Sequence, residues 1–139
     1  MNRGDFQRLS DERLSEAQLL LTAGKWSGAY YLAGYAVECA LKACILALIE
    51  REGTVFKDKK FSEKCWTHKF ADLLFLAGLK DEFEAWVKTD STIRTYRNAV
   101  EEWNEASRYE FVTQEQAEEF IRAIEHPNYG VLPWIRKRW

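Results

Sequence analysis

The chain contains no proline before residue 127, and its two prolines are Pro127 and Pro133. Glycine is also scarce, with 7 in 139 residues. A β-sandwich or barrel needs turns at intervals of roughly 8–12 residues, and those turns use glycine and proline. Because 47% of the residues are hydrophobic and 30% are charged, a chain this poor in helix breakers predicts long amphipathic α-helices. We expect a single domain over residues 1–139.

Charge and cysteine content exclude several classes of function. The 20 basic and 22 acidic residues leave a formal net charge of −2, so any binding of nucleic acid must depend on a local patch. Cys39, Cys44 and Cys65 form no CxxC pair and are expected to be buried free thiols in a reducing compartment. His68 and His126 have no metal-ligand spacing. We therefore predict no metal site and no cofactor.

Apolar residues recur at spacings of three and four along most of the chain, which predicts an all-α, up-and-down bundle of about five to six helices. Ser27, either Asp90 or Ser91, and Thr113 are candidate N-caps. Residues 53–66 show no clear period and are predicted to be a connection. The predicted helices run from about 5 to 22, 27 to 51, 69 to 77, 80 to 88, 91 to 109 and 113 to 124, and a short terminal helix follows a break at 126–130.

Residues 29–49 are long and apolar enough to span a bilayer. Glu38 and Lys42 lie in the middle of this segment, and each central charge costs roughly 2.5–3.5 kcal/mol on membrane-insertion scales. The N-terminal segment is charged throughout and is unlike a signal peptide. We therefore predict a buried core helix in a cytoplasmic protein that does not bind a membrane.

The segment from Ser91 to Glu110 holds the best candidate for a binding site. On one continuous helix, spacings of three and four place several polar side chains on one face. Such a stripe is typical of a solvated surface with internal ion pairs. Alternatively, its arginines bind phosphates while neighbouring aromatic rings stack on bases. The polar stripe consists of Arg94, Arg97, Glu101, Asn104 and Arg108, with the aromatic residues Trp103 and Tyr109 alongside.

Two charged residues, Glu38 and Lys42, are four positions apart in the apolar second helix. One interpretation is an i,i+4 ion pair at an edge of the core. The other is that Glu38 reaches across to Arg94 or Arg97 as a buried orienting pair. His68, at the start of a predicted helix, is expected to be neutral and to act as a cap, and the alternative is a catalytic histidine.

The run from Arg13 to Ala43 resembles the first two helices of HEPN-domain proteins (higher eukaryotes and prokaryotes nucleotide-binding). In that family, a helix with spaced leucines precedes a helix of the type A-Y-Y-x-A-x-x-A-x-E-x-x-x-K-A, and Glu38 and Lys42 occupy its polar positions. The segment from His68 to Leu74 resembles a later short helix of the family. The segments Tyr96–Glu110 and Thr113–Ile124 resemble its last two helices.

This resemblance implies an all-α up-and-down bundle that is commonly a homodimer. Many members are metal-independent ribonucleases or toxins, often encoded beside a small nucleotidyltransferase that neutralises them. Their active motif is an arginine, often followed by asparagine, with four to six residues between the arginine and a histidine. Here Arg97 and Asn98 match the first half, whereas Glu102, Trp103 and Asn104 stand where the histidine should fall.

The missing histidine predicts a protein that does not cleave RNA efficiently, because general acid–base catalysis contributes roughly 10²–10⁴ in rate. We expect it to bind a nucleotide or RNA phosphate near Arg94, Arg97 and Arg108, or to be a partner module of a nucleotidyltransferase. One alternative is an active ribonuclease toxin whose base is Glu102 or a histidine across a dimer. Another is a helical dimer with a structural role only.

The prolines mark a second departure from the family. Pro127 and Pro133 bracket the sequence HPNYGVLP, an interruption in what the family usually runs as one long last helix. Arg122 and His126 have an arginine–histidine spacing close to that of the active motif, next to this break. We expect the break to have local geometry, or a partner contact, of its own.

Overall fold

A computed structural model describes residues 1–53 and 59–139, without the side chains of residues 59, 60 and 62. No strand occurs in these residues, and the predicted all-α helical bundle is confirmed. Its elements are α1 (Arg3–Thr22), α2 (Trp26–Glu52), α3 (Lys59–Lys64), α4 (Phe70–Leu76), α5 (Lys80–Val87), α6 (Ser91–Glu102), a 3-10 helix (Glu105–Tyr109), α7 (Gln114–Glu125) and α8 (Val131–Arg136).

Most predicted helices lie within a few residues of their expected bounds. Residues 53–66 were predicted to be a connection without a helix, but they contain the short helix α3, which the sequence pattern did not indicate. Residues 54–58 of that connection lie outside the described residues. Asp90 and Thr113 cap α6 and α7 through their side-chain oxygens, as predicted. Ser27 is not an N-cap: α2 begins at Trp26, and the Ser27 hydroxyl oxygen accepts a hydrogen bond from the backbone N–H of Val112 at 2.9 Å.

An antiparallel pair of helices, α1 and α2, begins the bundle. Gly24 has a φ of +76°, a backbone conformation that glycine adopts without strain, and it makes the tight turn between them. Ser10 is fully buried, and its hydroxyl donates a hydrogen bond to the carbonyl oxygen of Ala36 at 2.6 Å. Ala17 and Ala33 are fully buried as well, and their small side chains let other helices approach closely.

The central helix of the bundle is α2. It contacts α1, α4, α7, α8 and the 3-10 helix. Among the described residues, α2 is the one helix long and apolar enough to cross a membrane, and 56% of its most apolar window is buried inside the bundle. A helix that is apolar nearly all round and packed on several sides is typical of a protein core.

The predicted helix from 91 to 109 was wrong beyond Glu102, where α6 ends. Trp103 has extended backbone geometry, with φ −68° and ψ 140°, and its side chain is buried in the core. A Cβ at Gly34 would overlap the indole ring, so the ring lies directly on the backbone of α2. The chain therefore turns at Trp103, and Asn104 caps the 3-10 helix by accepting a hydrogen bond from the N–H of Ala106 at 2.9 Å.

The break after α7 has a local geometric role. The Nδ1 atom of His126 accepts hydrogen bonds from the backbone N–H groups of Asn128 and Tyr129, at 3.2 and 3.1 Å. A Cβ at Gly130 would overlap the His126 carbonyl oxygen, so the turn requires glycine there. The turn brings α8 back into the core, with Pro133 in its first turn, as predicted.

Candidate functional site

A buried carboxylate lies in the middle of α2. Glu38 is 6% exposed, and its Oε1 accepts a hydrogen bond from Lys42 Nζ at 2.8 Å. Its two oxygens also lie 2.9 and 3.0 Å from Nδ1 of His68. A buried charge is tolerated when it is paired and hydrogen-bonded, and here both conditions are met. The predicted i,i+4 pair is confirmed.

The imidazole of His68 comes from the connection between α3 and α4. It does not cap α4, whose N-cap residue is Lys69, so that expectation was wrong. Since a carboxylate is an acceptor, we assign the ring hydrogen of neutral His68 to Nδ1, which leaves Nε2 as an acceptor. The side chain is 38% exposed. An imidazole oriented by a carboxylate accepts a proton at Nε2 and, once protonated, donates a hydrogen bond to an anion.

Two tyrosines extend this cluster along α2. Tyr31, Tyr35, Glu38 and Lys42 follow spacings of four, three and four, so they share one face of the helix. The hydroxyls of Tyr31 and Tyr35 are 3.4 Å apart, and the ring centroid of Tyr35 lies 6.3 Å from that of His68. Burial, and then the hydrogen bond with Tyr31, raises the pKa of Tyr35, so its phenol stays neutral.

Arg108 lies at the other end of this series. Its guanidinium is exposed, sits 4.8 Å from the centroid of the Tyr109 ring and lies beside the hydroxyl of Tyr31. Interactions with the Tyr31 hydroxyl and then with Tyr109 raise the pKa of Arg108, so the group stays cationic. We call this contact series the α2 polar line; it consists of Arg108, Tyr31, Tyr35, His68, Glu38 and Lys42.

Arg97 lies outside the α2 polar line and is held by other partners. Its Nη1 donates to both carboxylate oxygens of Glu84, at 3.1 and 3.2 Å, and its Nε donates to Asn98 Oδ1 at 2.9 Å. Glu101 is a further partner at 3.8 Å. These contacts join α6 to α5. The hypothesis that Glu38 pairs with Arg97 was therefore wrong, and a phosphate that bound Arg97 would have to compete with Glu84.

The other residues of the predicted stripe are dispersed. Because α6 ends before Asn104 and Arg108, these two do not extend the helix face of Arg94, and the predicted five-residue face was wrong. Arg94 is exposed, and no ion pair joins it to Glu38. Trp103, at 7% exposure, has no open ring face for a base.

The residues that stand in the family's active motif, Arg97 and Glu102, are also apart in the structure. Five positions on an α-helix correspond to a rotation of about 140°, so Arg97 and Glu102 lie on different sides of α6. Glu102 lies near Tyr30, whose pKa it helps to raise, whereas Arg97 faces Glu84. The structure does not bring the two together.

Cys39 and Cys44 are unreactive thiols. Both are free, as predicted, but only Cys44 is buried and Cys39 is partly exposed. Burial raises the pKa of Cys39 to about 11 and that of Cys44 to about 12. Since the thiolate is the reactive form, neither thiol is an effective nucleophile at neutral pH. Within residues 1–53 and 59–139, no three His, Cys, Asp or Glu side chains are grouped so as to hold a metal ion.

Part of the α2 polar line was not predicted from the sequence. The spacing of Tyr31 and Tyr35 relative to Glu38 is a local signal that identifies them. No local signal joins Glu38 to His68, since the two are 30 residues apart in the chain. Arg108 was identified as a cation, but its neighbours depend on the turn at Trp103.

No protein-family model, curated protein or solved structure matches this chain. The resemblance to HEPN-domain proteins carried by Arg13–Ala43 therefore stays a prediction.

Proposed function

We propose that this protein is a HEPN-type helical module that binds nucleotide or RNA phosphate along the α2 polar line. The observation that carries the proposal is the contact series from Arg108 through Tyr31 and Tyr35 to the group of His68, Glu38 and Lys42. It provides the phenol and ammonium donors of α2, from Tyr31 to Lys42 along roughly 16 Å of helix, together with the guanidinium of Arg108 and the imidazole of His68 from neighbouring segments. Donors of these kinds bind phosphate oxygens, and aromatic rings beside them stack on bases.

Arg108 is the first contact for an incoming phosphate. It is exposed and is paired with no carboxylate among the described residues, so its charge is available to a ligand. The Tyr109 ring next to it is 78% exposed and offers a face for stacking. Lys42 shares its charge with Glu38, so the group of Glu38, Lys42 and neutral His68 has no net charge, and protonation of the imidazole makes it cationic.

The proposal includes no cleavage through the arginine–asparagine motif. The guanidinium of Arg97 is bound to Glu84, and no histidine stands in the motif's second position. Following the family resemblance, we further propose a cytoplasmic homodimer that works with a small nucleotidyltransferase and needs no cofactor. Sedimentation equilibrium tests the dimer directly, because a monomer has a mass of 16.3 kDa.

Fluorescence anisotropy of a labelled single-stranded RNA tests the binding proposal. Arg108→Ala is expected to weaken binding by about tenfold and to reduce the slope of log K against log salt by about 0.7. Arg122→Ala, which removes the same charge from the exposed side of α7, is the matched control and leaves binding unchanged. Equal binding by the two variants, or no binding by the wild type at low salt, would contradict the proposal.

Metal-independent RNA cleavage is a second candidate function, and the contact between Glu38 and His68 favours it. A carboxylate that holds Nδ1 leaves Nε2 available as a general base. The assay is RNA cleavage in EDTA by the wild type and by His68→Ala. Cleavage that disappears in His68→Ala would establish this candidate, whereas intact RNA together with binding supports the leading proposal. If the protein neither bound nor cleaved RNA, both candidates would be wrong, and the remaining option would be a helical dimer with a structural role only.

A further inference from the structure

Two aromatic side chains stand at the surface between the 3-10 helix and α7. Tyr109 is 78% exposed and Phe111 is fully exposed. The backbone beside them is anchored, because the N–H of Val112 donates to the hydroxyl of Ser27 on α2. Neighbouring large apolar side chains that stay in water on an anchored segment are typical of surfaces that contact another molecule.

A cavity of about 190 Å³ lies beside Phe111, between α2, α6 and α7. The rings of Tyr30 and Phe120 pack together there, with 4.3 Å between their centroids, and contribute to its lining. Pockets for drug-sized ligands measure about 300–1,000 Å³, so this cavity suits a single side chain better than a larger ligand.

The charges around the cavity indicate what would cover it. Glu102, Glu110 and Glu119 line it, and no basic residue does. None of the three carboxylates pairs with a lysine or arginine in the described part of the chain. Burial and then the charges of Glu102 and Glu110 raise the pKa of Tyr30, which agrees with their position beside its hydroxyl. Like charges around one cavity repel each other, and a cation placed among them relieves that repulsion.

We propose that this surface docks a basic segment of a partner protein. We call it the Phe111 surface and define it by Tyr109, Phe111 and the cavity between α2, α6 and α7. One arginine or lysine side chain of the partner enters the cavity, where it meets the carboxylates and the ring of Tyr30. An apolar residue of the same segment covers Phe111, since exposed aromatic rings are frequent anchors of protein interfaces.

A small organic cation fits the observations less well, because it would leave the rings of Tyr109 and Phe111 uncovered. A polyanion is disfavoured by the three carboxylates. The Phe111 surface shares the Tyr109 ring with the phosphate-binding proposal, but its cavity, its carboxylates and Phe111 take no part in phosphate binding, so either proposal can fail without the other.

The experiment measures binding of a fluorescein-labelled peptide of alternating arginine and leucine to the full chain. The same peptide with citrulline in place of arginine keeps the shape and removes the charge. We expect the citrulline peptide to bind about tenfold more weakly. The triple variant Glu102→Gln/Glu110→Gln/Glu119→Gln is expected to lose a similar factor, and Phe111→Ala is expected to weaken binding as well.

A second triple variant, Glu12→Gln/Glu63→Gln/Asp81→Asn, removes the same charge from exposed positions elsewhere and is expected to bind as the wild type does. Circular dichroism verifies that both triple variants are folded. If both triple variants lost the same factor in peptide affinity, the effect would come from net charge alone, and the proposal would be overturned. The proposal would also be overturned if the citrulline peptide bound as tightly as the arginine peptide. It would be overturned as well if spermidine displaced the peptide and Phe111→Ala did not change peptide affinity, because the site would then bind a small cation.

Discussion

Tyr30 and Tyr31 are consecutive residues of α2, yet they belong to opposite electrostatic environments. Tyr31 lies beside Arg108 on the α2 polar line, whereas Tyr30 lies beside Glu102 and Glu110 at the Phe111 surface. Successive residues of a helix point about 100° apart, so one helix can contribute to both.

The two regions differ in how charge is balanced. On the α2 polar line the buried carboxylate of Glu38 is matched within the chain by Lys42 and His68. At the Phe111 surface the three carboxylates have no basic partner in the described residues. The charge of the first region is therefore balanced by residues of this chain, whereas we propose that the charge of the second is balanced by a cation of a partner.

The largest expected effect is on the free energy of unfolding, and it concerns the turn at Trp103, which lies between the two regions. Gly34→Ala should displace the Trp103 ring and lower the free energy of unfolding by about 3 kcal/mol, because the added methyl overlaps a rigid, buried side chain. Gly28→Ala is the matched control on the same helix, since its nearest neighbour is the flexible Leu20 side chain at 3.3 Å. Urea unfolding measures both variants. Equal stability of the two would mean that Trp103 does not rest on Gly34.

The next effect compares one carboxylate from each region. Glu38→Gln should lower the free energy of unfolding by about 1–2 kcal/mol, since Lys42 and His68 lose a charged partner but stay partly hydrated. Glu110→Gln, which breaks no ion pair, should change it by less than about 0.5 kcal/mol. Urea unfolding at low salt measures both. A loss from Glu110→Gln as large as that from Glu38→Gln would remove the distinction between the regions.

The smallest effect is a shift in the titration of Tyr30. Burial first, and then Glu102 and Glu110, raise its pKa, so we expect the phenol to titrate above the usual value of about 10. A raised pKa in the folded state contributes stability that is present in full below about pH 10 and is lost as the pH rises through the folded pKa. In Glu102→Gln/Glu110→Gln the pKa should fall, yet stay above its usual value, because the burial remains.

Carbon-13 NMR of labelled tyrosine across the alkaline range measures this titration, and Tyr30→Phe identifies the signal. An identical titration in the wild type and in Glu102→Gln/Glu110→Gln would show that these carboxylates do not act on Tyr30.

Most of the long helices were predictable from local pattern, whereas the short helix α3 was not. The periodicity of apolar residues, the cap at Asp90 and the capping box at Thr113 are short-range signals, and the structure follows them. The end of α6 was not predictable, because Trp103 continues the helical pattern and leaves it only to pack on Gly34, which is far away in sequence.

The candidate site was predictable only in part. Glu38 and Lys42 are four positions apart on one helix, and their pair follows from that spacing. His68 joins them through folding alone. Arg97 illustrates the reverse case: its place in a polar stripe suggested a ligand contact, and the partner it has is Glu84 on the preceding helix.

Nitrogen-15 NMR of the two histidines at a pH where both are neutral tests the α2 polar line most directly. The His68 ring should carry its hydrogen on Nδ1, facing Glu38, whereas His126 should carry it on Nε2, because its Nδ1 accepts backbone hydrogen bonds. Addition of single-stranded RNA should shift the Nε2 signal of His68 and leave His126 unchanged. The same tautomer in both rings, or RNA that binds without shifting His68, would contradict the account.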